Sequence, residues 1–107
     1  MATISTDIKR KVKNAVKNFN AKTLKQGKLK YIAEFRGKYI YLKVQDPNHL
    51  SPVSRLEYDG DLNDMQFAIY KWSSESYDPD EIFFPGAENL DGTLNGAMIA
   101  GIKAYYS

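Results

Sequence analysis

Apolar residues at Ile4, Ile8, Val12, Ala15, Val16 and Phe19 recur at spacings of three and four, which draws one stripe along a helix. Ser5 or Thr6 is placed to cap that helix, and Asp7 falls in its first turn, where the helix dipole favours a carboxylate. The pattern fades between Asn20 and Gln26, with Gly27 as a natural stop. From Lys28 to Val44 the period changes to two. Leu29, Tyr31, Ala33 and Phe35 share one face of a strand, and Lys28, Lys30, Ile32 and Glu34 share the other. Arg36-Gly37 supplies a hairpin turn, glycine giving the positive φ. On the returning strand Ile40, Leu42 and Val44 oppose Lys38, Tyr39, Tyr41 and Lys43. The aliphatic set is expected to face the core. The tyrosine set is expected outside, because an amphipathic ring tolerates partial exposure.

Gln45 to Pro52 reads as a turn by composition, Val53 to Tyr58 as a short third strand, and Asp59 to Asn63 as a further turn. Met65 to Trp72 is a fourth strand, with Met65, Phe67 and Ile69 on one face and Ala68, Tyr70 and Trp72 on the other, continuing the tyrosine surface. Ser73 to Asp91 is acidic, broken by Pro79 and Pro85, and longer than the usual connection of about 4 to 6 residues. Its Ile82-Phe83-Phe84 is too apolar for open water, so a short strand or an anchored loop over the core is expected. A last helix runs from about Thr93 to Tyr105, capped by Asp91 or Thr93. Leu94, Met98, Ile102 and Tyr105 form its stripe, while Gly96, Ala97, Ala100, Gly101 and Ala104 permit close approach to the sheet, the first helix or a second copy. The pattern predicts one α+β domain over residues 1–107 in the order α-β-β-β-β-α. A four-stranded antiparallel meander would carry the N- and C-terminal helices on one face.

Length and composition agree with that reading, since 107 residues hold a single core without staples. The chain has no cysteine, which removes disulfides and thiolate chemistry and makes a reducing cytoplasm the expected compartment. No stretch reaches the roughly 18 apolar residues of a membrane span, so no membrane partner is expected. The net charge of +2 conceals a division. Residues 1–43 hold twelve Lys and Arg against two carboxylates, a net +10, and residues 44–107 hold three against eleven, a net −8. Such asymmetry marks either a site for an anionic partner or two halves that neutralise each other in the fold.

Catalytic and metal chemistry find little support. His49 is the single histidine and lies in a turn without a nucleophilic serine motif, so it offers neither a triad base nor the core of a zinc site. Asp59, Asp61 and Asn63 have the start of a calcium-loop spacing, but Asp64 stands where glycine is needed and Tyr70 where glutamate is needed. No phosphate-binding glycine loop is present, because 92–96 lacks the Lys-Ser/Thr pair. No catalytic residue, metal or cofactor is therefore assigned. A non-enzymatic binding domain is the reading that remains.

Its sharpest form is an anionic partner such as nucleic acid or an acidic protein surface. Lys9, Arg10, Lys13 and Lys17 on a helix flank would meet phosphates, with Arg36, Lys38, Tyr39 and Tyr41 of the hairpin beside them. The element order is loosely like that of a double-stranded-RNA-binding domain. That family needs a basic start to its last helix, and the approach here, AENLDGT at 87–93, repels phosphate. The alternative is a protein-interaction or homodimer module built on the tyrosine-rich sheet face or the Gly/Ala-rich last helix.

Overall fold

A computed structural model describes residues 4–25, 27–81 and 83–106. Helix α1 spans Thr6–Lys22, and Ser5 caps it, its Oγ accepting the Ile8 N–H at 3.2 Å. Val12, Val16 and Phe19 are buried along the expected stripe. The helix ends where the Thr23 and Leu24 N–H groups both turn back onto the Phe19 carbonyl. Gln26, the far limit expected for the fading of the pattern, lies outside the described residues.

Strands β1 (Lys30–Arg36), β2 (Tyr39–Asp46), β3 (His49–Glu57), β4 (Gln66–Lys71) and β5 (Ser76–Asp78) form one antiparallel sheet in sequence order. The α+β architecture is as expected, with five strands in place of four. The added strand is three residues inside the acidic segment, too short to carry a periodic signal.

A second difference lies between β2 and β3. The predicted turn from Gln45 to Pro52 shrinks to Pro47-Asn48, and His49 to Pro52 continue the sheet, so His49 is a strand residue and not a loop residue. Pro52 enters a central strand because the register shifts at Leu42/Lys43, and an irregular ladder is where a missing N–H is tolerated. The same shift leaves both Val53 and Ser54 buried, breaking the alternation that marks a strand in sequence.

Ile40, Leu42 and Val44 are fully buried on the inner face of the sheet, together with Tyr31 and Leu56. Both helices close that face. Phe19 of α1 meets the Tyr31 ring edge-to-face at 5.6 Å, and the Tyr31 hydroxyl donates to the Met98 carbonyl at 2.7 Å. Met98 belongs to α2 (Leu94–Tyr105), whose Thr93 Oγ1 accepts the Gly96 N–H at 3.1 Å. Asp91 in turn accepts the Thr93 N–H and hydroxyl, which holds its carboxyl below the ordinary value.

Small residues let α2 settle deep into the sheet. A Cβ at Gly101 would come within 2.5 Å of the Tyr31 Oη and 2.6 Å of a Val53 methyl. Gly96, Ala97, Ala100 and Gly101 are thus committed to the core. Phe84, from the acidic segment, stacks on Phe67 at 5.8 Å and anchors that segment beside α2. Phe83 is 88% exposed, against the expectation that the whole apolar triplet is covered, and Ile82 lies outside the described residues. Among the described residues no helix is long and apolar enough to cross a membrane.

Candidate functional site

Strand alternation sends the residues between the buried ones to the sheet's outer face, which neither helix covers. Tyr39 and Tyr41 lie there on β2, as expected, and Arg55 lies opposite Tyr41 on β3. Tyr70 on β4 pairs with Tyr77 on β5. The rings touch in sequence across the sheet. Tyr39 to Tyr41 is 6.1 Å between centroids, Tyr41 to Tyr77 is 5.5 Å, Tyr77 to Tyr70 is 5.1 Å, and Tyr70 to Trp72 is 5.0 Å. Cations lie among them. The Arg55 guanidinium sits 4.5 Å from the Tyr39 centroid and 5.4 Å from that of Tyr77, and Arg36 sits 5.8 Å from Tyr41. A guanidinium over an aromatic face is attracted by the ring quadrupole, so the arginines and rings hold one another in place.

The charges of this face divide into two kinds. Lys43 pairs with Glu34 at 2.7 Å and Lys38 with Glu57 at 3.4 Å, and Lys38 also lies 5.6 Å from the Tyr39 ring. Among the described residues no carboxylate lies within 4 Å of Arg36 or Arg55. Burial pushes the Tyr77 hydroxyl up to about 12, with Tyr41 and Tyr70 adding to it and Arg55 opposing. The centre of the cluster is therefore partly dry, while Trp72 at its end is 53% exposed.

The helical cations occupy another surface. Lys9 and Lys13 reach from α1 to the ring of Phe35 at 5.6 and 6.0 Å. Arg10 is paired with Asp7 at 3.1 Å. Lys13 and Lys17 flank a groove of about 450 Å³ between α1 and the edge strand β1. The eight candidate residues are thus divided, with Lys9, Arg10, Lys13 and Lys17 beside the β1 edge and Arg36, Lys38, Tyr39 and Tyr41 on the outer face. The acidic segment does not neutralise the helical lysines. Its Asp78 and Glu81 pair instead with Lys71, at 3.7 and 3.2 Å, on the far side of the sheet.

Two members of the outer cluster escape a reading of the sequence. Tyr77 lies in the strand too short to detect, and the outward direction of Arg55 is hidden by the irregular register of β3. Among the described residues no group of three or more His, Asp or Glu is gathered to hold a metal ion. No family model matches the chain, and no curated protein or solved structure shows significant similarity to it.

Proposed function

We propose that this protein acts by binding, and that its outer sheet face receives the surface of a partner protein. The observation that supports this is the unbroken row Tyr39, Tyr41, Tyr77, Tyr70 and Trp72, interleaved with Arg36 and Arg55. Tyrosine, tryptophan and arginine are the residues that carry most of the energy at protein interfaces. Such a partner would offer apolar cover for the rings and carboxylates for the two arginines. Edge-to-face packing also favours a protein over nucleic acid. All four ring contacts of this row are tilted, at 54°, 65°, 70° and 80°, with ring edges turned onto neighbouring faces that stacked bases would need.

The test compares proteins captured by the native chain with those captured by an Arg55→Glu/Trp72→Ala variant, followed by titration of the purified partner. A protein that binds the native chain at micromolar strength and loses about a hundredfold with the variant is the expected result. Equal binding by the variant overturns the reading. So does tight, steeply salt-dependent binding of a short oligonucleotide to this same face.

A further inference from the structure

We infer that the groove between α1 and the free edge of β1 is a strand-addition site for an extended acidic peptide. The inference stands on a surface separate from the tyrosine face and does not depend on the function proposed for it.

The edge is open in a specific way. Asn20 of α1 lies against it, its Nδ2 donating to the Tyr31 carbonyl at 3.0 Å and its Oδ1 accepting the Tyr31 N–H at 2.7 Å. That side-chain amide does for Tyr31 what a neighbouring strand would do. It also fixes the phase of the ladder. Since the Tyr31 N–H and C=O point away from β2, those of Ala33 and Phe35 point outward too, because antiparallel ladders alternate. Among the described residues, neither group has a backbone or side-chain hydrogen bond on that side. Asn20 closes one end of the edge and leaves Ile32 to Arg36 for a guest.

The charges select the guest. Lys9, Lys13 and Lys17 follow the edge at intervals of four residues, a rise of about 6 Å per step on a helix. Alternate residues of an extended strand repeat at about 6.7 Å. A strand lying on β1 would therefore present a carboxylate to each lysine in turn, with β-branched residues on its other side next to Ile32. Among the described residues no carboxylate lies within 4 Å of these three ammonium groups.

Lysines beside an edge also repel a second β1, so the arrangement opposes pairing of like edges while admitting an acidic strand. A phosphodiester chain fits less well. Its phosphates could accept from the Ala33 and Phe35 N–H groups but offer no donors to their carbonyls, whereas a peptide backbone supplies both at the spacing of the edge.

A labelled peptide of about eight residues, alternating Glu with Val and Thr, is the probe. Expected are saturable binding at low salt, a loss of about tenfold with Lys13→Glu/Lys17→Glu, and weakening as salt is raised. Hydrogen exchange at the Ala33 and Phe35 amides should slow about tenfold on binding. Ala33→Pro should abolish binding, since it removes an edge donor without touching a ladder bond. If that variant does not fold, the lysine pair and the exchange data on the native chain still decide.

No binding at low salt overturns the inference, as does binding that leaves both amides exchanging at their free rate. Protection of the same amides by concentration alone would make the occupant a second copy. Displacement of the peptide by an oligothymidylate of about twelve nucleotides, with greater affinity, would make it nucleic acid. Either result also overturns the inference.

Discussion

The two faces of this sheet are made from the same strands and differ in almost every physical respect. The inner face is mainly aliphatic, with Tyr31 and Phe67 among its side chains, is sealed by α1, α2 and Phe84, and tolerates little change in volume. The outer face is built from rings and guanidinium groups that pack sideways on one another, with no helix above them. The contrast separates stability from recognition. Side chains on the inner face are bound by the fold alone, whereas those on the outer face are held in position by mutual contacts that leave a shaped surface toward solvent.

Truncation should break the contrast most visibly at Leu42. Leu42→Ala empties a fully buried site and should cost about 2–5 kcal/mol in chemical denaturation. Phe84→Ala, which uncovers Phe67, should cost about 2 kcal/mol, while the exposed Phe83→Ala leaves stability near the native value. Tyr41→Ala, next to Leu42 but on the other face, should cost about 1 kcal/mol, the worth of its ring contacts. A cost for Tyr41 above that for Leu42 would show that the outer face, and not the inner, carries the fold.

Ser54 sharpens the comparison from the opposite direction. Its hydroxyl is sealed inside without a hydrogen-bond partner among the described residues, so Ser54→Ala should leave stability unchanged or raise it by about 1 kcal/mol. Loss of stability would mean that the hydroxyl is satisfied in solution.

The smallest effect is a titration. Burial raises the hydroxyls of both Tyr31 and Tyr77, the first on the inner face and the second on the outer. A folded-state value above the unfolded one gives stability that is full below the ordinary tyrosine value of about 10 and is lost as pH rises through the folded value. Absorbance titration should therefore find Tyr77 ionising near 12, and Tyr31 only as the chain unfolds. Tyr77→Phe should remove the Tyr77 part of the alkaline loss of stability while leaving the Tyr31 part. Early ionisation of Tyr77 would mean that the aromatic cluster opens on the timescale of the measurement.

Much of this architecture is legible without coordinates because its signals are local. The stripe of α1 is read from spacing alone, and the opposed faces of the first hairpin are read from alternation, so the expected inner and outer residues of β2 are those observed. Where local signals fail, the reasons are equally physical. A proline and a shifted register disguise the start of β3, and three residues of β5 are too few for a period to register. The candidate site was legible as residue types and not as a place. Lys13 and Tyr41 are both on the basic half of the chain, yet the sheet puts one on the helical layer and the other on the face behind it.

Spacing along the chain marks the two helices, the first hairpin and β4, and which side of each is apolar, because those follow from backbone geometry over a few neighbours. Which strands' outer rings touch, the place of Arg55 among them, and the capping of the β1 edge by Asn20 at Tyr31 are properties of the folded whole. Each of these depends on register and on the way α1 is laid against the sheet. Residues 11 positions apart, as Asn20 and Tyr31 are, or 36 apart, as Tyr41 and Tyr77 are, carry no mark of their meeting in the chain.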